Sequence, residues 1–277
     1  MANFTSKHWI AIGLALLTTV LLFFAPKMGK LKKPEMPKAS MQTFDVDKFA
    51  DSVRTKLDTK TQALILSQQQ IISSSSDINA KQNAFDSLSS IWQINKMPLL
   101  AAYAKVQKAK AIASDKVFAE AGQACYMTSR FVSPNQQMFL MTNAIECFNS
   151  ALNSDTANVN YKTSLGICYV EGSQDPMKGI MLLRSVVAAD STNLKAQLSL
   201  GMFALQSGQN DKAVKRFKSI IAMEPTNAEA YLFLAQAYST LGNKPLAIES
   251  LQKFKTVNTD KTVEQEIDKY INDLKTN

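Results

Sequence analysis

Hydrophobic positions follow two different rhythms along this chain. Residues Ile10 to Ala25 form one uncharged apolar run with no periodicity. From Asp45 onward, apolar residues return every three or four positions, the spacing of one buried helix face. Phe49, Val53, Leu57, Leu64 and Ile65 predict an amphipathic helix running from Asp45 to about Ile72. Ser73 to Ser76 break that pattern, and Asp77 is placed to cap a second helix marked by Ile78, Phe85, Leu88, Ile91 and Trp92. Pro98 opens a third, with Leu99, Leu100, Tyr103 and Val106 on one side. At the far end, Val263, Ile267, Tyr270, Ile271 and Leu274 trace one stripe of a final helix with a charged opposite face.

With Trp9, the N-terminal run is 17 residues long. At ~1.5 Å per residue it would extend roughly 25 Å, the short end of a membrane-spanning helix. Trp9 and Lys27 flank it, and Pro26 ends it. The pattern predicts a retained transmembrane anchor at residues 9–25; a cleaved signal peptide is the competing reading, weakened by Phe23 and Pro26 at the cleavage position. Lys27, Lys30, Lys32, Lys33 and Lys38 follow the run, so the positive-inside rule places the remainder of the chain in the cytoplasm, with basic residues 27–38 near anionic lipid. The expected location is the inner (cytoplasmic) membrane as a single-pass protein; a periplasmic repeat domain is the alternative.

The middle and end of the chain repeat. Asp155-Thr-Ala-Asn158, Asp190-Ser-Thr-Asn193 and Glu224-Pro-Thr-Asn227 share one form, their asparagines 35 and 34 residues apart. Gly208 and Gly242 are separated by 34 residues, as are Ala213 and Ala247, and Phe217 and Leu251. Each period holds two apolar-patterned helices joined at a short turn, and Thr226 with Glu229 reads as a capping box.

On these residues the chain resembles the tetratricopeptide repeat family, in its small single-pass membrane-anchored bacterial form. Leu165-Gly166 with Tyr169, Leu200-Gly201 with Ala213 and Phe217, and Leu234-Ala235 with Tyr238, Ala247 and Leu251 carry the resemblance, along with Ala121-Gly122 and Ala144, Phe148 and Ala151 of an earlier unit. Lys162 and Gln197 depart from the bulky residue the family prefers, and Ser191 and Thr259 from its proline. The resemblance implies an all-α fold: an N-terminal transmembrane helix, a helical region, then an α-solenoid with a C-terminal capping helix. The expected divisions are tail and anchor at 1–25, a basic proline-containing tether at 26–44, a helical region at 45–114 with a candidate degenerate unit at 84–114, repeats at 115–259, and the cap at 260–277.

The resemblance also implies a concave groove lined by the first helix of each unit. Its positions map onto Asn160, Thr163, Ile167, Val170 and Glu171; Lys195, Leu198, Met202, Leu205 and Gln206; and Glu229, Leu232, Gln236, Ser239 and Thr240. Thr163, Ile167, Val170, Leu198, Met202, Leu205, Leu232 and Gln236 are the candidate partner-binding residues. The partly apolar centre suits an amphipathic helix or an apolar extended segment of a protein partner.

Composition narrows the chemistry. The net charge of +8 resides in the first 116 residues; residues 117–277 hold 15 basic and 15 acidic side chains, no footprint for nucleic acid. One histidine, His8, excludes multi-imidazole metal sites and places serine–histidine catalysis out of reach. No phosphate-binding glycine loop and no Cys-x-x-Cys pair occurs. Three distant cysteines, Cys125, Cys147 and Cys168, read as buried apolar side chains. The expectation is a non-enzymatic scaffold with no cofactor and no metal; a periplasmic accessory factor of a translocon or envelope-assembly machine is the alternative.

Overall fold

A computed structural model describes residues 44–276 and builds them from helices. The first four are α1 (Val46–Arg54), α2 (Thr59–Ser74), α3 (Ile78–Ile94) and α4 (Pro98–Ile112). Then follow α5 (Asp115–Ser129), α6 (Pro134–Ser154), α7 (Val159–Gly172), α8 (Pro176–Ala189), α9 (Leu194–Gln206), α10 (Asn210–Met223), α11 (Ala228–Thr240), α12 (Lys244–Val257) and, after a short 3-10 turn, α13 (Glu264–Thr276). From α3 onward, consecutive helices pack as pairs, and each pair leans on the next.

The architecture is an all-α helical repeat. Each described helix buries one face on its neighbours, and none is long and apolar enough to cross a membrane. This corrects the expected fold class, which was headed by a transmembrane helix, and with it the single-pass inner-membrane location on either side of the bilayer. The run at 9–25 and residues 26–43 lie outside the described residues.

A second correction falls at residues 45–72. In place of one helix there are two, separated at Thr55–Asp58. Asp58 turns outward to cap α2, accepting from the Thr61 N–H (3.0 Å) and the Thr61 hydroxyl (2.6 Å). Leu57 keeps the apolar spacing across the break, which hides it from a periodicity reading. Helix α1 then packs on the second helices of two pairs. Phe44 meets Phe139 of α6 at 5.3 Å between ring centroids, and Phe139 meets Tyr103 of α4 at 5.5 Å. Burial raises the Tyr103 pKa, and the nearby Asp47 carboxylate of α1 adds to it.

The recurring Asp/Glu-x-x-Asn motif punctuates the stack. Asn158, Asn193 and Asn227 are the N-caps of α7, α9 and α11, each side-chain oxygen accepting a first-turn N–H. The amide of Asn158 donates to Asp155 (3.0 Å) and that of Asn227 to Glu224 (2.7 Å), so one side chain ties the end of one pair to the start of the next. The cap of α11 is thus Asn227, not Thr226. A capping box does occur at Ser133 and Gln136, opening α6.

Small residues set how closely each pair closes. A Cβ on Gly201 would sit 2.6 Å from the Phe217 ring, and one on Gly166 would sit 2.8 Å from Leu183. Gly208 and Gly242 serve differently: both have φ +75° and open space around them, as their turns require. Gln197, polar at a site where the family prefers bulk, is buried but satisfied. Its oxygen accepts from Arg216 (2.6 Å) and its amide donates to the Ser191 carbonyl (3.3 Å).

Gly201→Val should therefore lower stability by about 2–4 kcal/mol through overpacking against Phe217, read as a shift of the urea midpoint. Gly208→Asn, at a positive-φ turn with nothing to strike, should cost under about 1 kcal/mol in the same measurement.

Candidate functional site

The first helices α5, α7, α9 and α11 approach one another along the stack, whereas the second helices α8, α10 and α12 approach less closely; the earlier second helices α4 and α6 do touch. A row of pairs packed closer on one side must bend toward that side. From α7 onward the first helices therefore line the inside of the curve, and α1 packs beside α4 and α6.

The structure separates the eight candidate groove residues. Thr163 is buried, and its hydroxyl donates back to the Val159 carbonyl (2.8 Å). Leu205 is buried in the core shared by α9 to α12. Val170 is half-buried against α8, beside Gly179. These three pack between helices. Ile167 is also largely covered, but it floors a shallow notch with Gln123, Tyr126, Phe148, Ser164 and Lys195. Leu198, Met202, Leu232 and Gln236 are half-buried, each with part of its surface open.

The polar side chains around this notch connect different pairs. Tyr126 of α5 donates its hydroxyl hydrogen to Glu171 Oε1 of α7 at 3.2 Å. Lys195 Nζ of α9 donates to Ser164 Oγ of α7 at 3.4 Å. Glu171 and Glu229 are both reached by water, yet both have raised pKa values because the surrounding protein desolvates the carboxylate; Arg130 opposes the rise in each case. Burial lowers the Lys195 pKa, and burial with Glu171 close by raises that of Tyr126.

Gln123 and Tyr126 are not among the eight candidate groove residues, although the notch includes both. The signal was there. Counting from Ala121-Gly122 as the small-residue crossing gives Gln123 and Tyr126 the groove positions that Ile167 and Val170 occupy in the next unit. Arg130, one residue beyond α5, has no such register.

The cysteines do not join this surface. Cys125, Cys147 and Cys168 are free thiols in one buried cluster. Burial pushes Cys147 up to about 11 and Cys168 up to about 12, and Cys125 rises as well, with the other two thiols adding to it.

Residues 204–254, from the end of α9 into α12, match the family model of the tetratricopeptide repeat, which supports the family assignment over that stretch. No curated protein matches the sequence. Among solved structures, a crystal structure of a MamA protein overlays with a TM-score of 0.48 at 19% identity, covering 66% of this chain and 94% of its own. YrrB, described as a tetratricopeptide protein with an unusual peptide-binding site, overlays at 0.47 and 18%, covering 76% and 99%. MamA from residue 41 onward of Desulfovibrio magneticus RS-1 gives 0.49 and 15%, covering 64% and 94%. These are similarities of helix arrangement only.

All three thiols should resist Ellman's reagent in the folded protein at pH 8, because each is buried and held neutral by a raised pKa. All three should react within the mixing time in guanidinium.

Proposed function

We propose that this protein is a scaffold that holds a protein partner along the inner wall of its helical stack. The observation that carries the reading is the wall itself. Half-buried Leu198, Met202 and Leu232 alternate there with Tyr126, Glu171, Lys195 and Glu229, contributed by α5, α7, α9 and α11. A concave strip of apolar patches and fixed polar groups buries an apolar anchor and orients the segment that carries it. The tetratricopeptide match supports protein binding as the general role, since proteins built of this repeat are in the main non-enzymatic scaffolds. Met202 adds adaptability, because its unbranched thioether fits side chains of several shapes.

The outer wall is the natural control. Met177 and Met181 of the second helix α8 are exposed there.

Peptides selected from a random library on the full chain should lose at least roughly tenfold in affinity when Leu198→Glu or Met202→Glu is introduced, the loss of one apolar anchor. Met181→Glu on the outer wall should leave affinity unchanged. Equal binding by all three variants, with unchanged melting temperatures, would remove the groove from consideration.

A further inference from the structure

The tyrosine hydroxyls of this chain do not share one fate. Those of Tyr126 and Tyr161 donate to carboxylates, to Glu171 at 3.2 Å and to Asp115 at 3.1 Å. A phenol that donates to an anion keeps its proton. Tyr169 has the opposite surroundings. Its oxygen accepts from Lys178 Nζ at 2.7 Å and from Asn149 Nδ2 at 3.5 Å. The same ammonium lies 4.4 Å from the centre of the Tyr169 ring.

Three helices hold this group together: Asn149 comes from α6, Tyr169 from α7 and Lys178 from the first turn of α8. Gly179 lets α8 cross α7 so closely that a Cβ there would sit 2.9 Å from the Tyr169 Cβ, and Lys178 precedes it in sequence. Asp175 caps α8 by accepting from the Lys178 backbone N–H at 3.2 Å. The lysine side chain nevertheless turns to the phenol and enters no ion pair among the described residues. The positive end of a helix disfavours a lysine but favours negative charge on a neighbouring oxygen. Lys178 is exposed and Tyr169 half-buried, so the pair stands at the surface of the stack.

We propose that Tyr169 is a nucleophilic phenol that captures an activated sulfonyl donor, with Lys178 and Asn149 holding its oxygen. Burial works to raise the Tyr169 pKa, and Asp175 adds to that, but the hydrogen bonds from Lys178 and Asn149 and the lysine charge outweigh both and leave it lowered. Tyr103, Tyr126 and Tyr161 move the other way. In the transfer, the phenol first loses its proton to water. The phenolate oxygen then forms a bond to sulfur as the bond from sulfur to its leaving group breaks, and that group departs as an anion with the bonding pair. Lys178 keeps its proton throughout, so nothing is oxidised or reduced. The cysteine thiols, the usual competitors, are buried.

The test is labelling of the full chain with a small aryl sulfonyl fluoride at mildly alkaline pH, each tyrosine being followed by peptide mass. Tyr169 should react at least roughly fivefold faster than any other tyrosine. Lys178→Met should bring it down to the rate of the others, whereas Lys178→Arg should keep most of the advantage. The phenolate absorbance belonging to Tyr169, taken as wild type minus Tyr169→Phe, should appear at lower pH than that of a tyrosine peptide, and Lys178→Met should move it upward. Labelling of Tyr169 no faster than Tyr161 in the wild type, a result that needs no variant to fold, would overturn the proposal. Equal rates in wild type and Lys178→Met at equal melting temperatures would overturn it as well.

Discussion

Every pair in this stack has more apolar surface than its two helices can cover between them, so each needs the next. The buried clusters show the dependence directly. One runs from Val46 to Cys168, a second joins α7, α8 and α9, a third spans α9 to α12, and a fourth closes α11, α12 and α13. Stability is therefore transmitted by neighbour contact rather than held in one centre. Helix α13 ends the series by offering Ile267 and Ile271 to Phe254 and Leu251 while keeping its charged face in water.

The same constraint produces the groove. Close crossing at Gly166 and Gly179, and at Gly201 against Phe217, draws the helices of a pair together. Direct approach of successive first helices then sets the curvature. Side chains from α5, α7, α9 and α11, far apart in sequence, end on one surface. Tyr126 and Glu171 are 45 residues apart, yet they share a hydrogen bond. The surface is a by-product of stacking, and its chemistry is free to vary where Lys195, Glu171 and Glu229 project from it.

Much of the fold could be read from the residues. The 34-residue spacing of Gly208 and Gly242 marked two turns that prove to need positive φ, and the asparagine motif marked three helix starts. The break at Asp58 was invisible because Leu57 continues the apolar rhythm through it. The groove was legible only as a register. Repeat position gives the direction in which a side chain leaves its helix, not what lies opposite. Thr163 and Leu205 therefore carry groove positions and are nonetheless buried. The apolar run at 9–25 lies outside the described residues, and none of the described helices is long and apolar enough to cross a membrane.

Both ends of the described stack are closed by a helix that belongs to no pair. At one end Phe44, just ahead of α1, meets Phe139 where α4 and α6 already touch. At the other, α13 lays Ile267 and Ile271 on Leu251 and Phe254. A series whose stability passes from neighbour to neighbour frays first at an open end, so these two helices act as stoppers, and removing either would leave the adjacent pair with an uncovered apolar face.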